Sequence, residues 1–213
     1  MLFQTSILQT LKNCIWTPIP YWGILWFALF NVKFLGFTNN QLTVMPELDM
    51  PNLERLRLNV NPFTRVANLS YPSLKQLDLN CCSALTEVAN ITSPSLTNLW
   101  MIKNVNLASV SSFNLPNLEE LRLNDSAFST FPDNFYNFPK LKILNLMCPN
   151  LTTIPPFKSP ALEWLSLVGS PIIQIPDSLC DQEPDLVICA DSGTCANSKG
   201  QCFKARQDRY LSA

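Results

Sequence analysis

The side chains with most chemical capacity in this 213-residue sequence are eight cysteines, and there is no histidine to work beside them. Without histidine, the commonest general base and the commonest metal ligand are both missing. Four of the cysteines, Cys180, Cys189, Cys195 and Cys202, crowd near the end of the chain. None of these four forms a Cys-x-x-Cys pair, so a structural zinc site is a poor fit. Two disulfides in a small Gly- and Ser-containing cap suit them better and imply an oxidising compartment; reduced core thiols are the alternative, disfavoured by the polar surroundings. Four cysteines allow three connectivities, and spacing does not choose among them. No nucleophile-base pair, carboxylate dyad or phosphate loop is visible, and the five glycines form no Gly-rich motif. The sequence therefore predicts a non-enzyme, with neither metal nor cofactor.

What chemistry remains is recognition, and its residues must be positioned by a framework. A 47% apolar content with 15% charge describes a folded chain, and a formal charge of -1 without a basic face argues against a nucleic-acid partner. The framework is a repeat. Val32-x-x-Leu35-x-Phe37-x-x-Asn40-x-Leu42 is followed by Leu53-x-x-Leu56-x-Leu58-x-x-Asn61-x-Phe63, with further copies starting at Leu74, Leu96, Leu118, Leu141 and Leu162. Copies three and four place Leu85 and Leu107 one residue late.

The pattern resembles the leucine-rich-repeat family, whose signature L-x-x-L-x-L-x-x-N/C-x-L matches residues from about 32 to 172. The resemblance implies an α/β class solenoid, a horseshoe with a concave parallel β-sheet. It also implies a protein or peptide ligand, as in receptor ectodomains, and hence an extracellular or cell-surface setting, with a cytosolic one left open. The residues alone give the same core: Leu-x-Leu alternation puts two apolar side chains on one face of a short strand, and stacking joins those faces into one interior. The ninth residue of each copy, Asn40, Asn61, Cys82, Asn104, Ser126 or Ser170, is expected to satisfy backbone groups that leave the ladder at the bend. Pro149 cannot, so an irregularity is expected there. Cys82 reads as a buried ladder thiol, while Cys81 and Cys148 share the eighth position, roughly 14 Å apart and too far to bond.

Prolines stand two residues before the first leucine in six copies, at Pro51, Pro72, Pro94, Pro116, Pro139 and Pro160. They predict a convex side that is mostly irregular, polyproline-like or 3₁₀, with short helical turns at most near residues 133–138 and 177–180. Three parts follow: residues 1–30, apolar and outside the repeat; the solenoid of about seven repeats over 31–179; and the cysteine-containing cap and tail over 180–213. For residues 1–30, with the run Ile19 to Phe30, three readings stand side by side: a cap over the first coil, a signal anchor giving membrane association through 19–30, or a cleaved signal.

The third, fifth and seventh residues of each copy alternate with the buried leucines and should line the concave face. Arg55, Arg57, Asp78, Trp100, Ile102, Arg122 and Trp164 are the candidate ligand contacts, because Arg, Trp and apolar side chains dominate interface energetics. The competing reading makes the charges solvated cross-strand pairs. Four N-x-S/T sequons, at Asn68, Asn90, Asn124 and Asn150, are about as many as chance supplies in a chain so rich in Asn, Ser and Thr. Asn124 falls in the concavity and is expected to be unmodified. A structural spacer or homo-oligomer, in which the concave tryptophans bury one another, is the alternative function.

Overall fold

The computed structural model describes residues 31–45, 49–131, 138–157, 159–172, 176–180 and 186–189. Three-residue strands recur once per coil: β1 (Phe34–Gly36), β2 (Arg55–Arg57), β4 (Gln76–Asp78), β6 (Asn98–Trp100), β8 (Glu120–Arg122), β9 (Ile143–Asn145) and β10 (Trp164–Ser166). With β11 (Val187–Cys189) they form one eight-stranded parallel sheet in the order β1-β2-β4-β6-β8-β9-β10-β11. Every pairing is offset by one coil, so Leu35, Leu56, Leu77, Leu99, Leu121, Leu144 and Leu165 stand in one line. All are buried, Leu56, Leu77, Leu99, Leu121 and Leu165 completely. This is the leucine-rich-repeat solenoid that the spacing predicts.

The prolines have a more specific task than blocking helix. Each sits at the second place of a tight turn whose first carbonyl accepts from the fourth amide, as in Leu53 N to Met50 O (3.2 Å), Leu96 N to Ser93 O (3.0 Å) and Leu162 N to Ser159 O (3.0 Å). The ring fixes φ near the value that this turn position requires. Coils two to seven thus enter their strands through the same turn.

Beyond the strand, the eighth residue adopts a left-handed conformation in Asn39, Val60, Cys81, Lys103, Asp125 and Gly169, with φ between 56° and 76°. The next residue then turns inward and donates to the sixth-position carbonyl of the preceding coil. Asn61 Nδ2 donates to Phe37 O at 2.8 Å, Asn104 Nδ2 to Leu79 O at 2.9 Å, Ser170 Oγ to Leu146 O at 2.7 Å. Cys82 Sγ makes the same bond to Leu58 O at 3.6 Å. The irregularity expected at Pro149 is present. Coil six omits its left-handed residue, and Cys148 slips into the inner place, its Sγ donating to Leu123 O at 3.3 Å and its amide to Ser170 Oγ at 2.8 Å. Cys148 is therefore buried, not the equivalent of exposed Cys81.

The expectation of a mostly irregular convex side is corrected for coils two to four. There β3 (Arg65–Ser70), β5 (Glu87–Thr92) and β7 (Ser109–Asn114) form a second parallel sheet. The three segments read Arg-Val-Ala-Asn-Leu-Ser, Glu-Val-Ala-Asn-Ile-Thr and Ser-Val-Ser-Ser-Phe-Asn. Val66, Val88 and Val110 point into the core, as do Leu69 and Ile91. That is three residues apart, not two, because Asn68 and Asn90 take left-handed φ values of 59° and 53° and drop out of the ladder. Asn tolerates this region better than other side chains, and here it acts as a one-residue bulge that resets the inward phase. Asn90 Nδ2 donates to Asn68 Oδ1 at 2.9 Å, which ties the bulges together.

At the far end, the helical turn expected near 177–180 is present as α1 (Asp177–Cys180). The sheet then continues past residue 179 through β11, which pairs with β10 in the same one-coil register. Residues 1–30, including 19–30, and the turn expected at 133–137 lie outside the described residues. Among the described residues, no helix is long and apolar enough to cross a membrane.

Candidate binding face

The register builds the outward columns directly. On one line stand Phe34, Arg55, Gln76, Asn98, Glu120, Ile143 and Trp164, and on the next Gly36, Arg57, Asp78, Trp100, Arg122, Asn145 and Ser166. Arg55, Arg57, Trp100, Arg122 and Trp164 thus share one face of the long sheet, and Ile102 follows the end of β6 beside them. Val187 and Cys189 extend the two columns by one rung.

Two guanidinium groups are held in similar ways. Arg57 lies over the Phe34 ring at 5.3 Å, and its Nε forms an ion pair with Asp78 Oδ2 at 3.1 Å. Arg122 lies over the Trp100 ring at 5.5 Å, and its Nε donates to Glu120 Oε1. An aromatic face and a carboxylate therefore fix each cation, so the charge pairs are lateral and belong to the sheet's own surface. Asp78 occupies its expected column but is not exposed there. At 2% exposure it is buried beneath its neighbours, and its second oxygen accepts from Gln76 Nε2 at 2.9 Å. It anchors Arg57 and is covered by it. Glu120 likewise takes a second bond, from Asn98 Nδ2 at 2.7 Å.

Arg55 is exposed and forms no ion pair among the described residues. Its column neighbours Phe34 and Gln76 are uncharged. The other half of the face is apolar: Ile102, Ile143, Met147 and Trp164 are half-buried and Val168 is exposed. Ile143, Met147 and Val168 were legible as members of the columns, although no single one of them stands out by type.

Three polar atoms in this face are shielded and have no hydrogen-bond partner among the described residues: Trp100 Nε1, Asn124 Oδ1 and Asn145 Oδ1. The Asn side chains two and three coils before Asn124 do not share this condition. Asn59 Oδ1 accepts from Asn80 N at 2.7 Å, and Asn80 Oδ1 from Ile102 N at 2.8 Å. Asn124 instead turns its Nδ2 toward Met147 Sδ at 3.2 Å.

The thiols divide by environment. Burial pushes the Cys82 thiol up, and pushes Cys148 up to about 12. Cys81 is exposed, and Cys189 is a half-buried free thiol on β11. Cys189 thus takes no part in the disulfide expected of it. Cys195, Cys202 and the Cys180 side chain lie outside the described residues. Among the described residues, no group of three or more Cys, Asp or Glu could hold a metal ion.

No family model matches the chain, and no curated protein does. Among solved structures, InlP of Listeria monocytogenes is 20% identical over 76% of this chain and 61% of its own, with a TM-score of 0.36. YopM from Yersinia enterocolitica is 18% identical over 77% of this chain and 47% of its own, with a TM-score of 0.38. The chain spans less than two thirds of either protein.

Proposed function

We propose that this chain is a protein-binding module that holds a protein or peptide ligand against the open face of its long sheet. The observation that supports it most is the half-exposed apolar patch of Trp100, Ile102, Ile143, Met147, Trp164 and Val168 on a sheet face whose opposite side already supplies the core. Apolar side chains gathered there add nothing to the interior, and a partner that covers them gains their burial. The paired Arg57 lies toward the β1 end, and the paired Arg122 stands on β8 between Trp100 and the apolar residues of β9 and β10, so both cations are held without depending on a ligand.

A random twelve-residue peptide library displayed on phage provides the test. Enriched clones should bind the wild type and lose roughly 30-fold or more on Trp164→Ala, the loss that about 2 kcal/mol at an interface anchor produces. Arg65→Ala on the second sheet should leave binding unchanged. Enrichment no greater than on a blank support would overturn the proposal. Light scattering addresses the homo-oligomeric alternative: a concentration-dependent dimer that Trp164→Ala dissolves would replace a separate ligand by a second copy.

A receptor-like, exported setting belongs to the same proposal and rests on Cys180, Cys195 and Cys202. With Cys189 free, these three can form one disulfide at most. Two thiols that react only after reduction of the unfolded chain would support export, whereas eight reactive thiols without reductant would place the protein in a reducing compartment.

A further inference from the structure

The open face is three residues wide and eight strands long, so an elongated ligand makes most contact by running across the strands. Its two ends differ in chemistry. At the β2 end Arg55 is exposed and unneutralised among the described residues, whereas Arg57 and Arg122 each have a carboxylate of their own. At the β9 and β10 end stand Ile143, Met147 and Trp164. Between them stand Trp100 of β6, Arg122 of β8 and, just beyond β8, Asn124, all half-buried, a mixed aromatic and polar stretch. Main-chain amides of an extended segment, each with an N–H and a C=O, suit such a lining.

We propose that the face takes an extended peptide laid across the strands in one orientation, its acidic residue against Arg55 and its apolar side chains against Ile143, Met147 and Trp164. This rests on the binding reading above and adds the ligand's polarity and length. From β2 to β10 there are five strand spacings, about 24 Å at ~4.8 Å each. An extended chain at roughly 3.3 Å per residue crosses that distance in about seven residues. Charge complementarity selects the acidic end, because the three outward columns hold Arg55, Arg57 and Arg122 against Asp78 and Glu120, and the unmatched cation is Arg55.

The experiment pans the same displayed library on the wild type and on Arg55→Glu, with circular dichroism to establish that the variant folds. Wild-type binders should carry Asp or Glu about five to seven residues from a pair of apolar side chains. A selected peptide, synthesised with a fluorophore and followed by anisotropy, should bind Arg55→Glu at least tenfold more weakly. Exchanging its acidic residue for Lys should restore binding to the variant and weaken it on the wild type, an inversion that general loss of structure cannot give. Binders that are apolar throughout, sensitive to Trp164→Ala and indifferent to Arg55→Glu, would overturn the polarity and leave the binding face standing. The absence of any enriched peptide would overturn both.

Discussion

Val60 is the residue at which the repeat conflicts most openly with side-chain preference. It holds a left-handed φ of 57° although β-branched, and it is exposed. The place is imposed on it: Val60 N donates to Asn80 O at 2.9 Å, as Cys81 N does to Ile102 O at 2.8 Å one coil later. Val60→Asn should therefore stabilise the protein by about 1 kcal/mol, read from urea denaturation, because Asn visits this region at less cost. No change or a loss would show that valine packs usefully there. Cys148 gives a pH prediction. Burial favours its neutral form, so the folded group titrates above the ordinary value of 9.0, at about 12. Its contribution is complete below pH 9 and is lost as pH rises toward 12. Stability should fall over that window, and Cys148→Ser should reduce the slope. Some slope should remain, since Cys82 and Tyr71 are shifted the same way by burial. Below pH 8, a maleimide should label Cys81 well before Cys82 or Cys148.

Among elements, the inner ladder shows how far spacing alone can be read. The ninth-position residues were legible because one polar side chain recurs in a leucine frame, and each makes the bond expected of it. Asn104 is fully buried and holds Cys82 N at 2.8 Å and Leu79 O at 2.9 Å. Asn104→Ala leaves both groups without partners, at about 1–3 kcal/mol each. A loss of about 2–5 kcal/mol in urea unfolding is expected, and a loss under 1 would mean that another group replaces the amide. The second sheet was not legible, for a physical reason. Alternation identifies strands, and the bulges at Asn68 and Asn90 break it, so Val66 and Leu69 point inward three residues apart. The Pro72 and Pro94 turns nearby then suggested irregular chain. The signal lay in comparing copies: Val-Ala-Asn-Leu-Ser and Val-Ala-Asn-Ile-Thr recur 22 residues apart. Strand β11 was missed because only Ile188 keeps a leucine place, with Asp185 where the repeat begins.

Across the whole molecule, a further column repeats without serving the core. The second residue of successive copies reads Lys33, Glu54, Lys75, Thr97, Glu119, Lys142 and Glu163. Glu54 meets Lys33 at 2.9 Å and Lys75 at 2.8 Å, and Lys142 meets Glu119 at 2.8 Å. Each exposed pair is worth little alone, but a slip of one coil would set like charges together along part of the row. The two lysines hold the Glu54 carboxyl near 2. Its contribution is therefore present above the ordinary carboxylate value and is lost as pH falls from about 4.5 toward 2. The candidate face was legible at this scale because β-strand side chains alternate. Its division into a cationic and an apolar end became visible only once Asp78 was found buried under Arg57.

The one-coil register has a consequence for the gene as much as for the chain. Positions 75 and 97 are equivalent places in successive turns, so removing residues 76–97 joins Lys75 to Asn98 with no change of phase. Strand β2 would then meet β6, Arg55 facing Asn98 and Leu56 facing Leu99. The shortened protein should fold cooperatively with its far-ultraviolet spectrum preserved in shape, whereas a cut that removes half as many residues should not fold. A protein built in this way can change the reach of its surface by whole turns, through in-frame loss or duplication, without redesign of its interior.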